Sequence, residues 1–127
     1  MRACLLVLAL AGPATAATCE SLTALSLPAT TITLATTVST DRWPNGIAVR
    51  HAEHPAFCRV AATLRPTPDS EIKIEVWMPS AAWNGNYEAV GNGGWSGSIN
   101  HESMAAALTL ADGGPAQALS SPRRSAL

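Results

Sequence analysis

Four glycines lie within the seven residues from Gly91 to Gly97, and this run is the part of the 127-residue sequence best suited to chemistry. Glycine at this density lets peptide N–H groups approach a bound group that Cβ atoms would otherwise exclude. A plain tight turn uses the same composition. The glycines alone therefore leave two interpretations open, a ligand-facing loop and a simple turn.

The spacing of the glycines can be compared with three known kinds of site: a dinucleotide-binding loop, a nucleophile motif and an oxyanion loop. Gly91, Gly93 and Gly97 follow the pattern G-x-G-x-x-x-G, which is not the dinucleotide-binding spacing. In Gly94-Trp95-Ser96-Gly97-Ser98 a serine stands where the G-x-S-x-G nucleophile motif has its last glycine, and no histidine follows in a suitable place, so Ser96 is interpreted as a loop serine. A third option fits the order of elements: a glycine loop after a strand that points a backbone N–H at a developing negative charge.

The N-terminal residues have the features of a signal peptide. Arg2 supplies a positive start, Cys4 to Ala11 form a short apolar run, and small residues precede a cleavage site after Ala16. The apolar run is too short for a membrane anchor. Residues 1–16 are therefore predicted to be removed, and the mature protein is predicted to be secreted or periplasmic.

If the protein is exported, its remaining cysteines are expected to form a disulfide. Cys4 would leave with the signal peptide, so Cys19 and Cys58 remain in a compartment where disulfides persist, and we expect them to pair. A Cys/His metal site with His51 and His54 has the wrong spacing for the usual zinc patterns. No metal or cofactor is therefore expected in this segment.

Composition excludes several partners. Hydrophobic residues make up 47% of the chain, charged residues 13%, and the net charge is −1. Such a chain should fold, but it has no basic stripe for phosphates or anionic lipid. Nucleic acid and membrane surfaces are therefore not expected partners.

The elements around the glycine run follow from periodicity and turn residues. Strands are predicted at residues 57–64, 71–78 and 87–90, the first two as a hairpin, and a helix at residues 99–110 capped by Ser98 or Asn100. A turn is predicted at Trp83-Asn84-Gly85. Residues 111–127 lack periodicity and are predicted to be a disordered tail.

Individual side chains near these elements receive structural rather than catalytic interpretations. Alternation in the strand at residues 71–78 predicts that Ile72, Ile74, Val76 and Met78 face the core, with Glu71, Lys73 and Glu75 on the solvent face. The histidines His51, His54 and His101 are predicted at the surface or in loops. The tryptophans Trp77, Trp83 and Trp95 are predicted to be packing anchors, although Trp95 could flank an aromatic substrate.

Five blocks, in order, resemble the N-terminal part of the tannase and feruloyl esterase family of secreted α/β-hydrolases. The resemblance covers about ninety residues, from Cys19 to Leu108. The blocks are Cys19-Glu20-Ser21-Leu22, Pro55-Ala56-Phe57-Cys58-Arg59-Val60, Glu71-Ile72-Lys73-Ile74-Glu75-Val76-Trp77, Trp83-Asn84-Gly85 and Gly91-Asn92-Gly93-Gly94-Trp95-Ser96-Gly97.

The resemblance implies a fold and a role for the glycine run. It implies an α/β fold in which residues 17–110 form the N-terminal strands, oxyanion loop and first helix of an α/β-hydrolase sheet. It also implies hydrolysis of aromatic carboxylic esters, with Gly94 supplying an oxyanion N–H, Gly93 shaping the loop and Cys19 bonded to Cys58. The family's serine nucleophile, acid, histidine and calcium-binding lid match nothing in this sequence.

We therefore expect a truncated or frame-shifted hydrolase segment that is inactive alone. Its aromatic ester substrate would be bound only in the context of the full-length family. The alternative is a small secreted, disulfide-bonded binding module that keeps the glycine loop as a ligand contact without chemistry.

Overall fold

The computed structural model describes residues 17–40, 43, 54–91, 97–110 and 117–120. The predicted signal peptide lies outside these residues. A short 3-10 helix at Glu20–Ala24 precedes five strands and one α-helix: β1 (Thr30–Val38), β2 (Phe57–Leu64), β3 (Ile72–Pro79), β4 (Tyr87–Val90), α1 (His101–Leu110) and β5 (Gln117–Ser120). Each strand and the helix predicted between residues 57 and 110 is present, with its ends shifted by at most two residues.

The strands form one mixed sheet in the order β1-β2-β3-β5-β4. β2 and β3 form the predicted antiparallel hairpin, in which Phe57 pairs with Pro79 and Leu64 with Ile72. β4 and β5 run parallel, because α1 carries the chain from one to the other, and β5 enters the sheet between β3 and β4. The crossover leaves β4 after Val90 and enters α1 at His101.

Residues 117–120 depart from the expected disordered tail. They form β5, which pairs antiparallel with β3 and parallel with β4. Four residues are too few to show a periodic pattern, so their pairing depends on the two strand edges on either side. The remainder of the predicted tail lies outside the described residues.

The core lies on both faces of β3. On one face, α1 packs its buried residues Met104, Ala105 and Leu108 with Phe57 and Trp77, both fully buried. On the opposite face, Val76 and Met78 pack against Val60 and Cys58 in a second cluster, to which the 3-10 helix contributes Leu22.

Because both faces of β3 are covered, the predicted solvent face of this strand is wrong. The alternation predicted a solvent face that included Glu75, yet Glu75 is only 7% exposed and Trp77 on the same face is fully buried. Burial of that face follows from the position of β3 inside the sheet, where α1 covers it. Lys73, near the start of the strand, is exposed as predicted.

The turn before β4 has the backbone that its sequence predicts. Gly85 adopts a φ of 84°, in the left-handed region that glycine occupies at little cost. Asn84 accepts a hydrogen bond from the Asn86 backbone N–H at 2.9 Å, and Trp83 Nε1 donates to the Asn86 carbonyl at 2.8 Å. Trp83 is 56% exposed, so the prediction that it anchors the core is wrong; its indole stabilises the turn instead.

Candidate functional site

The glycine run joins the end of β4 to the start of α1. Of its residues, the structure describes Gly91 and Gly97, and a Cβ added at either would meet no heavy atom within 4 Å. Gly93, Gly94 and Trp95, the three residues for which a role in the loop was predicted, lie outside the described residues. The site is therefore described by the groups at its two ends.

Asn100 connects those two ends. Its Oδ1 accepts a hydrogen bond from the Ser103 backbone N–H at 3.0 Å, which is the N-cap interaction predicted for α1. Its Nδ2 donates to the Gly91 carbonyl at 3.5 Å, a long hydrogen bond. One side chain thus caps the helix and closes the loop where it leaves β4.

A buried polar cluster lies beside this closure. Glu75 accepts two hydrogen bonds from Arg59, from Nε at 3.0 Å and from Nη2 at 2.6 Å, and one from Trp77 Nε1 at 2.9 Å. His101 Nε2 lies 3.4 Å from Glu75 Oε1, and its ring stacks on Trp77 with a centroid distance of 5.8 Å and an interplanar angle of 8°. Glu75 therefore connects β2 and β3 to the first residue of α1.

The electrostatics of Glu75 follow from these donors. Burial raises the pKa of the carboxyl group, but the nearby His101 ring, the N–H groups of Arg59 and Trp77 and the positive charge of Arg59 outweigh burial and lower the pKa from 4.5 to about 2. Glu75 is therefore ionised at neutral pH. A carboxylate with this pKa, paired in a fork with arginine, is a poor general acid or base near pH 7.

His101 was predicted at the surface or in a loop, but it is the first residue of α1 and is largely buried. Its side chain is three-quarters buried, and Nε2 is fully buried with no hydrogen bond among the described residues, its nearest charged neighbour being Glu75 Oε1. This cluster was not predicted from the sequence. A signal was available, since Arg59 interrupts an apolar strand and lies diagonally across the β2–β3 hairpin from Glu75, where cross-strand pairs interact.

His54 lies in the loop before β2, one of the two kinds of position predicted for it, but it is buried there. It is 5% exposed, its ring centroid lies 4.1 Å from that of Trp43, and its Nδ1 lies 2.8 Å from the Pro55 carbonyl oxygen. His51, the other histidine weighed for a metal, lies outside the described residues. In the ranges that the structure describes, no three His, Cys, Asp or Glu side chains come together as a metal-ligand set.

The predicted disulfide is present between Cys19 and Cys58, whose Cα atoms are 5.6 Å apart. It attaches the 3-10 helix to β2, next to the second core cluster. Glu20, beside Cys19, accepts a hydrogen bond from the Thr37 backbone N–H at 2.9 Å, and this bond lowers the pKa of Glu20. The N-terminal segment is thus fixed to both β1 and β2.

Within the described residues, no helix combines the length and apolar character that crossing a membrane would require.

Similar proteins were found by sequence. No protein-family model matches the chain. The chain is 48% identical over 94 residues to an uncharacterized esterase of Xanthomonas campestris pv. campestris, a match that covers 72% of this chain and 16% of the esterase. It is 38% identical over 50 residues to a probable feruloyl esterase B-1 of Aspergillus oryzae, covering 39% of this chain and 9% of that protein. The chain therefore spans only a small part of the length of these curated relatives.

Similar folds were found among solved structures. A crystal structure of an esterase from Aspergillus oryzae matches 82% of this chain and 21% of its own length, with a TM-score of 0.62 and 22% identity. The crystal structure of feruloyl esterase B from Aspergillus oryzae matches 80% of this chain and 20% of its own length, with a TM-score of 0.56 and 28% identity.

Proposed function

We propose that this chain, which belongs to the tannase and feruloyl esterase-like family over the segment that it shares with its relatives, forms the oxyanion-side part of a carboxylic ester hydrolase. The supporting relatives are named esterase and feruloyl esterase. The proposal takes from them the reaction class, hydrolysis of a carboxylic ester, and the substrate class, esters of aromatic acids.

The arrangement of β4, the glycine run, α1 and β5 is the observation that carries this proposal. α/β-hydrolases take one oxyanion N–H from the loop between a sheet strand and the helix that follows it. Here a glycine run occupies that position, leaves β4 at Gly91 and is closed there by Asn100, the N-cap of α1. β4 and β5, on either side of α1, are parallel neighbours.

In the proposed reaction, a serine attacks the ester carbonyl carbon, and negative charge develops on the carbonyl oxygen. The Gly94 N–H donates a hydrogen bond to that oxygen, and Gly93 lets the loop approach the substrate closely. Trp95 lies beside the aromatic acid group. A preorganised donor of this kind accounts for about 10²- to 10³-fold in kcat.

The chain carries this oxyanion group without the catalytic serine, acid and histidine. The segment from Gly94 to Ser98 lacks the last glycine of the G-x-S-x-G pattern, and the described histidines His54 and His101 contact core aromatic residues. The chain alone is therefore inert, and it acts as an export-directed segment of a larger hydrolase fold. No metal or cofactor takes part in its contribution.

Two assays test this proposal. The purified chain is incubated with methyl ferulate, methyl gallate and p-nitrophenyl acetate, and no turnover is expected. Its segment from Cys19 to Leu108 then replaces the matching segment of the Xanthomonas campestris esterase, with the unmodified esterase as reference. The hybrid is expected to retain ester hydrolysis. Turnover by the chain alone that one substitution abolishes, or a folded hybrid without activity, would contradict the proposal.

A further inference from the structure

We infer that the outer edge of β1, the side of this strand that faces away from β2, is a surface for self-pairing that Glu20 keeps closed. The partner that this edge fits is β1 of a second copy of the chain, joined as an antiparallel strand. The edge lies at the opposite end of the sheet from β4, and the inference does not depend on the proposed function.

β1 is an edge strand whose composition favours pairing with another strand. Among the described strands only β2 lies beside it, so its second row of backbone N–H and C=O groups faces away from the sheet. Its nine residues include five threonines and neither a charged residue nor a proline. Strands rich in β-branched residues, without charge or proline, pair readily with other chains when their edge is open.

The Glu20 carboxylate occupies the outer edge near the end of β1. Its Oε1 accepts a hydrogen bond from the Thr37 backbone N–H at 2.9 Å, so this N–H is directed away from β2 and is not available to another strand. The same bond lowers the pKa of Glu20, which is therefore ionised at neutral pH and places a negative charge on the edge. An incoming strand would have to break this bond and displace the charge.

The 3-10 helix holds this carboxylate in place. Cys19, the residue before Glu20, is bonded to Cys58 on β2. Leu22 packs against the second core cluster, which includes Ala35 of β1. Glu20 therefore reaches the edge of β1 from a segment that is attached covalently to the neighbouring strand and packed on the sheet.

Two backbone irregularities interrupt the rest of the outer edge. At the start of β1, Leu27 and Thr30 form an isolated bridge, and the Thr30 N–H donates to the Leu27 carbonyl at 3.3 Å. In the middle, the register shifts between Ile32 and Leu34, which is a bulge or a similar irregularity. Such features weaken pairing at an edge, but they belong to the backbone. Glu20 is therefore the part of the protection that one substitution can remove.

Sedimentation velocity of the disulfide-bonded full chain over a range of concentrations tests the inference, with folding checked by near-UV circular dichroism. Glu20→Ala removes the carboxylate from the β1 edge. Glu88→Ala is the matched control, because it makes the same change in net charge on β4, the strand at the other end of the sheet. Glu20→Ala combined with Thr31→Lys returns a charge to β1 at an exposed position.

Glu20→Ala is expected to self-associate at an about tenfold lower concentration than the wild type, because pairing no longer breaks a charge-assisted hydrogen bond. Glu88→Ala should behave as the wild type does, and adding Thr31→Lys to Glu20→Ala should abolish the gain. Hydrogen exchange followed by mass spectrometry should locate the contact. In Glu20→Ala, exchange of residues 30–38 should slow as the concentration rises, whereas exchange of residues 87–90 should not change.

Several results would overturn the inference. Equal self-association of Glu20→Ala and Glu88→Ala is one, and association that Thr31→Lys leaves unchanged is another, because the contact would then not be the β1 edge. Equal protection of residues 30–38 in the wild type and Glu20→Ala would mean that Glu20 does not close this edge. Loss of the near-UV signal in dilute Glu20→Ala would also count against the inference, because Glu20 would then be required for folding rather than for closing an edge.

Discussion

Glu75 shows how one residue joins three elements. Its carboxylate accepts hydrogen bonds from Arg59 on β2 and from Trp77 on its own strand. It also faces His101, the first residue of α1. Removing one partner of a buried ion pair leaves the other charge uncompensated. The free energy lost in this way exceeds the free energy that the intact pair contributes to stability. The cluster is therefore a point where a single substitution should have a large effect.

Glu75→Gln is expected to lower the free energy of unfolding by about 3 kcal/mol, because it leaves Arg59 buried beside a neutral amide. Urea denaturation of the wild type, Glu75→Gln, Arg59→Met and the double variant measures the coupling, and the double variant should lose less than the sum of the singles. Glu71→Gln, which breaks a more exposed pair, should cost at most about 0.5 kcal/mol. Equal losses for Glu75→Gln and Glu71→Gln would refute the buried-pair account.

Stability should fall in acid because of Glu75. Its pKa is about 2 in the folded chain against an ordinary 4.5, so the folded state favours the ionised form. The stabilisation is complete above pH about 4.5 and is lost as the pH falls towards about 2, a change of about 2–3 kcal/mol. Urea midpoints measured across this range should decline less steeply in Glu75→Gln. Glu20, with its lowered pKa, contributes in the same direction to both proteins.

At the scale of elements, local patterns predicted most of the secondary structure. Alternation predicted β3, residues 57–64 were predicted as its hairpin partner β2, a turn at Trp83-Asn84-Gly85 was predicted before β4, and a cap was predicted before α1. The burial of Glu75 and the pairing of β5 were not predicted. Both depend on which elements become neighbours in the sheet. In a strand that is covered on both faces, the alternation of apolar and polar residues no longer identifies a solvent-exposed face.

The candidate site was predicted only in outline. The position of the glycine run between a strand and a helix was predicted from the sequence, and the helix cap was predicted at Ser98 or Asn100, of which Asn100 makes the bond. Of the groups beside this cap, Glu75 was predicted on the solvent face of its strand and His101 at the surface or in a loop. Their burial requires the diagonal register of the β2–β3 hairpin and the packing of α1 on Trp77, which no single-strand pattern contains.

The disulfide should provide much of the stability of the N-terminal half. Cys19 and Cys58 are separated by 39 residues, and closing a loop of that length stabilises by about 4 kcal/mol in the chain-entropy view. Cys58→Ala with Cys19→Ser should therefore lower the unfolding free energy by up to that amount, whereas Cys4→Ala should have no effect. Mass spectrometry of the non-reduced exported protein should show one crosslinked peptide pair. Two free thiols would contradict the assignment.

At the scale of the whole molecule, the chain should be marginally stable. Several large apolar side chains are exposed, namely Leu25, Leu27, Trp83 and Tyr87, and the first three residues of β4 are exposed too. Among the described strands, β4 ends the sheet with one edge unpaired. Near-UV circular dichroism during heating should show loss of tertiary structure below about 55 °C, with aggregation. A cooperative transition above that temperature would favour an independent binding module.

The proposed function depends on one backbone group above all, the N–H of Gly94. Gly94→Pro in the hybrid esterase removes that donor, whereas Gly97→Ala alters the same loop at a position where an added Cβ meets nothing within 4 Å. Because an oxyanion donor acts mainly in the transition state, its loss should appear in kcat rather than in KM.

Steady-state hydrolysis of methyl ferulate is measured for the hybrid and its two variants, with folding checked by circular dichroism. A fall of about 10²- to 10³-fold in kcat is expected for Gly94→Pro, and near-parental kcat for Gly97→Ala. A folded Gly94→Pro hybrid that hydrolyses the ester as fast as its parent would contradict the assignment of this segment to an oxyanion loop.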